Sequence, residues 1–359
     1  MEKMASRYEE QSVQQYSREV RRHLPQAMLA RAPSRLLWLP VHLSVITALA
    51  VYVVKAQPAW YLALACALVA GHSWACLGFL AHEAMHHALT SSRTLEKLVG
   101  YCGFGIYCLS PTLWSAWHNQ AHHGNTSRPV ADPDGFGTVS FWRKNAVVRT
   151  LEKFAPGSGY KRSAAFPFIW FSLHSFLVLV FHSEKNDYYT RVSRKVVYVE
   201  SLAMVAFWIA VLALVGPWSF VFLYVLPLLV ANAIIMSYIA TNHFLNAATA
   251  VNDPIANTLS VTSPRWVERL HLQFGYHVEH HLFPTMSGRH APAVRDVLVR
   301  LYGDRYLTMP HTRALRLLYD RPKLHDGSDV LVDPRTGATF GVLAPGDLSM
   351  ARLGAAEVG

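Results

Sequence analysis

Four stretches of this chain are apolar over a length that few soluble folds require: Leu36–Val54, Ala59–Ala81, Val197–Val215 and Phe220–Thr241, with the turn signal Gly216-Pro217 between the last two. Each holds roughly 19–23 mainly apolar residues, and at 1.5 Å per helical residue that matches the ~30 Å hydrocarbon layer of a bilayer. In lipid every backbone N–H and C=O must be satisfied within its own segment, so such stretches are expected to be helices. Two further apolar stretches are interrupted. Leu98–Trp114 carries Gly100, Gly103, Gly105 and Pro111, and Ala164–Phe181 carries Pro167, Ser172, His174 and Ser175. Both are expected to lie at the interface or to re-enter without crossing.

Charge supports this count. Only 16% of residues are charged, against about 25% in a typical soluble domain, so part of the surface faces something other than water. The net charge of +10 would suit nucleic acid or an anionic membrane surface, and its distribution decides between them. Of the 33 Lys and Arg residues, 32 lie in 1–35, 82–196 or after 241; only Lys55 lies between the first two spans, and none lies between the last two. By the positive-inside rule the termini and the long middle segment are cytoplasmic. The lipid bilayer, not nucleic acid, is the expected partner. Arg18, Arg21 and Arg22 fall on an expected N-terminal surface helix, and Glu9 and Glu10 argue against a signal peptide. The four cysteines show no C-x-x-C spacing and read as small buried hydrophobes.

Histidine carries the chemical signal. His82, His86 and His87 follow the second span, His118, His122 and His123 lie in the middle segment, and His277, His280 and His281 follow the fourth span. Random placement at this histidine frequency would yield about 0.1 such triplets in the chain. Residues four apart on a helix share a face, whereas an adjacent histidine points about 100° away, so one triplet can serve two ions. Nine imidazoles exceed what one ion can use and suit two, each with positions left open. With four spans all three triplets emerge on the same, cytoplasmic, side; one more crossing would strand at least one of them. His243, two residues beyond the fourth span, is a candidate tenth ligand. His72, inside a span, reads as a satisfied core histidine, and His271 as a surface or supporting residue. Glu83, Glu279, Asn119 and Asp134 are candidate partners for the second imidazole nitrogens. Trp114, Trp117 and Tyr276 are candidate tunnel residues.

The triplets, with Trp117 before His118 and the phrase Gly275-Tyr276-His277-Val278-Glu279-His280-His281-Leu282-Phe283-Pro284, resemble the membrane fatty-acid desaturase family over roughly residues 40–320. The resemblance implies four transmembrane helices under a cytosolic helical cap, two iron ions, a narrow acyl tunnel and oxygen as co-substrate. It divides the chain into a cytosolic segment 1–35, a membrane desaturase domain 36–284 and a cytosolic segment 285–359. Some family members pair an Asn with a His farther downstream before the third box. Here Asn242 directly precedes His243, so only His243 is carried over. Front-end desaturases have Gln where this chain has His277, and many carry a fused cytochrome b5 domain. No His-Pro-Gly-Gly haem motif occurs here, which implies an external donor of ferredoxin or cytochrome b5 type. The substrate class implied is acyl-CoA, acyl-carrier protein or acyl-lipid, and the setting suits a bacterial inner membrane.

Two other readings use some of the same residues. Alkane hydroxylases and carotenoid ketolases or hydroxylases share the histidine plan and differ in the outcome of oxidation. His82-Glu83-Ala84-Met85-His86 also fits the H-E-x-x-H zinc-protease signature, but that leaves seven triplet histidines idle. Towards the C-terminus, Ala291–Tyr302 has helical apolar spacing, with Arg295, Arg300 and Arg305 expected to face an anionic surface. Asp329–Val332 and Ala338–Leu343 flank a turn and are expected to form a small hairpin.

Overall fold

A computed structural model of the chain describes residues 10–181 and 188–344. Most of these are helical, and four of their helical stretches are long and apolar enough to cross a membrane: Pro33–Ala56, Trp60–Met85, Lys161–Val180 and Arg194–His243. The last is two arms. Gly216 breaks it with φ 77° and ψ 165°, a backbone region open to glycine and closed to most side chains. The chain doubles back there, because Trp208 and Tyr224, eight residues on either side, bring their rings to 4.4 Å. Near the reversal Gln57, at the end of the first span, donates to Ser219 Oγ at 3.2 Å. The four expected spans are therefore all present as helical arms, and the second and fourth run on to Met85 and His243.

The second and fourth arms pack closely along their length. A Cβ on Gly71 would lie 2.5 Å from Val230 Cβ, and one on Gly78 would lie 2.8 Å from Ile235 Cδ1. Small residues permit this approach, which is how helices gain packing where lipid offers little hydrophobic drive.

Both interrupted stretches turn out to be helical, and the second lies within Lys161–Val180, itself long and apolar enough to cross a membrane. After the first triplet, Arg93–Phe104 runs back alongside the second span, and the chain returns through Pro111–Trp114 to the second triplet. Gly103 sits so tightly that an added Cβ would be 2.2 Å from the Leu77 carbonyl oxygen. Glu200, at the start of the third arm, anchors this excursion, accepting from Thr112 N–H at 3.2 Å and from the hydroxyls of Ser110, Thr112 and Tyr101. Phe166–Val180 has the length and apolarity of a span, yet both of its ends lie beside the histidine layer. Phe166 meets Phe244 just past the fourth arm; at the other end Tyr189 donates to the Leu179 carbonyl and Arg191 to Gln120 Oε1.

The polar end is built from short elements. Val13–Arg21 begins with a Ser12/Gln15 capping box and buries Tyr16 and Val20 against Val278 and Leu282, beneath the third triplet, while Arg18, Arg21 and Arg22 remain exposed. The helix Ala291–Tyr302 forms as expected. The arginine expectation needs correction. Arg300 is exposed, but Arg295 lies over the Tyr276 ring at 5.8 Å and Arg305 pairs with Asp253 at 3.3 Å, so these two serve the interior. Helical spacing alone does not reveal that Tyr276 and buried Asp253 occupy the facing surface. The hairpin is present, Val330–Val332 against Thr339–Gly341, with Leu324–His325 added as a third antiparallel strand. Ser260–Thr262 and Thr308–Pro310 form a separate parallel pair.

Candidate metal centre

The second span delivers His82 and His86 from its closing turn, four residues apart, with ring centroids 4.7 Å apart. His118 and His122 of the second triplet lie on a π-helical stretch, Ser115–His122, and His123 opens the short helical turn that follows. His118 and His122 stack at 5.1 Å with 23° between their planes, on the kind of π segment that is frequent at functional sites. The third triplet occupies the short helix His277–Leu282, whose start is held by Ser260: its Oγ accepts from the N–H groups of His277 and Val278, both at 3.0 Å. The same hydroxyl donates to Glu279 Oε2 at 2.6 Å, and Tyr306 donates to the other oxygen. His243 arrives on the last turn of the fourth arm.

These imidazoles sort into two groups. In the first, the ligand atoms of His82, His86, His118 and His280 lie within 4.8 Å of one another, and His123 Nε2 adds itself 3.2 Å from His280 Nε2. In the second, His122, His243 and His281 satisfy the same limit, and His277 Nε2 is 2.9 Å from His243 Nε2. The ring of His123 also stacks on His281 at 4.3 Å, so it stands between the groups. The adjacent pair His280 and His281 divides between the two groups as helix geometry anticipates.

His87 does not join them. The helix ends at Met85, His87 takes a left-handed φ of 64°, and its Nδ1 turns outward to Glu96 Oε2 at 2.8 Å beside Arg93. The adjacent-pair expectation fails at this position because the helix that would have aimed the ring has already stopped.

Several nitrogens have no protein partner. Nε2 of His86, His122 and His281 is buried and unpaired, as is Nδ1 of His243 and His277. Elsewhere Nε2 atoms face each other, His82 to His118 at 3.0 Å. Burial first, and the neighbouring imidazoles second, hold His86, His118, His123, His277, His280 and His281 well below the ordinary histidine value, in the neutral form that ligates metal. His122 differs. Burial lowers it, but Asp132 and Asp134 outweigh burial and push it up to about 9. Its Nδ1 lies 3.0 Å from Asp132 and 3.3 Å from Asp134, which aims Nε2 inward. The unpaired Nε2 atoms of His86, His122 and His281, together with the Nε2 atoms that face one another, fit metal ions.

Of the four expected supporting residues, only Asp134 reaches a triplet histidine. It also accepts from Trp117 Nε1 at 2.7 Å and lies 3.3 Å from His174. Glu83 is engaged by Arg35, Ser287 and Gly288, Glu279 by Ser260 and Tyr306, and Asn119 by the Met85 carbonyl. Sequence reading passed over Asp132, though it lies two residues from Asp134. It also passed over Thr126, whose hydroxyl is 3.3 Å from His281 Nδ1, and Ser260. The engagement of Glu83 leaves the H-E-x-x-H reading without its water-activating carboxylate.

A narrow cavity of about 50 Å³ abuts both groups. Its walls include Phe79, Trp114, Trp117, Phe171, Ile235 and Phe274 beside His82, His118, His122, His243 and His277. Trp114 and Trp117 therefore line it as anticipated; Tyr276 does not. Asp134, Trp170 and His174 also line a broad outer groove of about 800 Å³ beside Phe166–Val180.

Residues 58–313 match the family described as fatty acid desaturase. The chain belongs to the fatty acid desaturase family. It is 23% identical over 244 residues to an acyl-lipid (9-3)-desaturase of Borago officinalis, covering 60% of this chain and 52% of that one. Over 288 residues it is 23% identical to a Delta(8)-fatty-acid desaturase of Euglena gracilis, covering 74% and 65%. A Delta(5) fatty acid desaturase of Caenorhabditis elegans is 25% identical over 242 residues, covering 61% and 53%. The matched region thus spans about half to two thirds of these desaturases' own lengths. All three triplets and His243 fall inside the family match.

Proposed function

We propose that this chain desaturates a fatty acyl chain, using two iron ions, dioxygen and electrons from a separate donor protein of ferredoxin or cytochrome b5 type. The observation that carries the reading is the meeting of nine imidazoles, in two groups, with His82, His118, His122, His243 and His277 on the wall of an apolar cavity. The balanced change converts –CH2–CH2– to –CH=CH–, with O2, two electrons and two protons giving two waters.

When bound, the iron pair supplies the activation of dioxygen that removal of hydrogen from unactivated carbon requires. The chain's own contribution is placement. His82, His86, His118, His123 and His280 would hold one ion, and His122, His243, His277 and His281 the other. His122 would keep its Nδ1 proton, shared with Asp132, and release its Nε2 proton as metal binds. Thr126 buttresses His281 in the same sense. Trp114 and Phe274 pack on the triplet rings and keep water from the reacting carbons. The reacting methylenes of an acyl chain would lie in the cavity, with the rest of the chain and its carrier end towards the outer groove, past Asp134, Trp170 and His174. Acyl-CoA, acyl-carrier protein and acyl-lipid all satisfy that arrangement.

The same reading places the chain as a multi-pass protein of a bacterial inner membrane, with the site and both termini cytoplasmic, as the basic residues favour. Expression in a desaturase-deficient bacterium followed by mass spectrometry of its fatty acids tests the activity. A new unsaturated acid is expected from wild type and should vanish in His122→Ala and His280→Ala. A hydroxylated product, or an unsaturated product that survives either substitution, would overturn the assignment.

A further inference from the structure

A second cluster of metal-binding side chains lies outside the triplets. His72 and Cys76 are four residues apart on one face of the second span, and His271 reaches them from the loop that leads into the third triplet. Their ligand atoms all lie within 4.8 Å of one another. His72 Nε2 is 3.2 Å from His271 Nε2, and Cys76 Sγ is 4.0 Å from His72 Nε2. Cys76 is fully buried and both histidines are half-buried.

The geometry points to a zinc site formed by His72, Cys76 and His271. An ion about 2.1 Å from each nitrogen, set between two Nε2 atoms 3.2 Å apart, subtends roughly 100°, near the tetrahedral angle zinc adopts. The second imidazole nitrogen of His271 is already held: Nδ1 lies 2.8 Å from Tyr238 Oη, the kind of outer partner that fixes the tautomer and turns Nε2 to metal. One thiolate with two imidazoles is a softer set than the all-imidazole triplets, and this selects zinc over iron. Binding displaces the Cys76 thiol proton to solvent, and a water completes the four ligands.

The site would act as a staple. It ties the second span to a loop whose Phe274 stacks on Phe79 at 4.5 Å and packs against His82 at 5.0 Å and His277 at 5.3 Å. A zinc ion here would fix the wall shared by the first and third triplets without entering either metal group.

Cobalt is the probe, because a thiolate gives Co2+ a near-ultraviolet charge-transfer band that imidazoles cannot. Metal-free full-length protein in detergent is titrated with Co2+. Wild type is expected to develop the band, saturating at about one ion per chain. Cys76→Ser should lose it while keeping the visible absorption of cobalt on the triplets, and His271→Ala should weaken it at least ~10-fold in affinity. Absence of the band in wild type overturns the site, and so does its survival in Cys76→Ser. Iron-loaded wild type should in addition retain about one zinc per chain through dialysis, and His72→Ala none. Neither readout involves desaturation, so failure here leaves the proposed activity standing, and failure of that activity leaves this site standing.

Discussion

His122 Nδ1 lies 3.0 Å from Asp132 Oδ1, and the carboxylate's other oxygen accepts from the Ser127 N–H at 2.7 Å. The aspartate is thereby fixed to the backbone of the loop and aims one imidazole of the second group.

Asp132→Asn should leave the fold intact and weaken metal at the second group by about 10–100-fold, the usual cost of losing an outer partner. Iron per chain, measured by mass spectrometry after dialysis, is expected to fall from about two towards one. Retention of both ions would show that Asp132 has no hold on the metal.

His86 and His87 are neighbours in the chain with opposite expected phenotypes. His87→Ala should keep product formation within about twofold of wild type and keep both irons, since its ring faces Glu96 and Arg93. His86→Ala should abolish product. Equal loss in both variants would mean that the first triplet rearranges on metal binding.

Ser260→Ala removes the hydroxyl that caps the third-triplet helix and donates to Glu279. With an N-cap worth about 1 kcal/mol and a buried acceptor left short of a donor, a cost of roughly 2–3 kcal/mol is expected. Its signature is a melting point several degrees lower together with weaker iron retention. An unchanged melting point would remove Ser260 from the support of the site.

The pH dependence of the metal-free protein follows from the neutral imidazoles. His86, His118, His123, His277, His280 and His281 are held below the ordinary value by burial and by one another. As pH falls through about 6.5, the unfolded chain takes up protons that the folded chain refuses, so stability must decline. His122, pushed up to about 9, has the opposite sign: its contribution is present below the unfolded value and is lost as pH rises through about 9. Melting of apo protein between pH 7.5 and 5 should drop steeply, and iron-loaded protein should fall at least as steeply, because its imidazoles also take up protons once released. A flat profile for the apo protein would contradict this description of the centre.

Gly103 tests the close packing of Arg93–Phe104 on the second span. A methyl group there meets the Leu77 carbonyl and Ala81 Cβ, at 2.2 and 2.5 Å. Gly103→Ala is expected to cost about 1–3 kcal/mol through overpacking, and Gly103→Leu to abolish folding. Wild-type melting behaviour in Gly103→Ala would show that this contact is loose.

The spans and triplets were legible because each depends on a periodicity that the chain displays locally: apolar runs of bilayer length, and histidines three or four apart. Less legible was whatever depends on where a helix stops or bends. The fate of His87 turns on the second span ending at Met85, and His118 and His122 sit on a π stretch. Neither leaves a compositional trace. Asp132, Thr126 and Ser260 support the site from loops and a short strand, where proximity arises only after folding. Arg295 and Arg305 were misassigned for a related reason: a helix pattern shows which face is polar, not that Tyr276 or Asp253 waits opposite.

His82 and His243 close the last turns of two helices that belong to stretches long and apolar enough to cross a membrane. Whatever sets the depth of those helices also sets the height of two ligands, one in each metal group. A slip of one residue is 1.5 Å, longer than the tolerance of an iron–nitrogen bond. The register of these two helices therefore fixes the height of one ligand in each group.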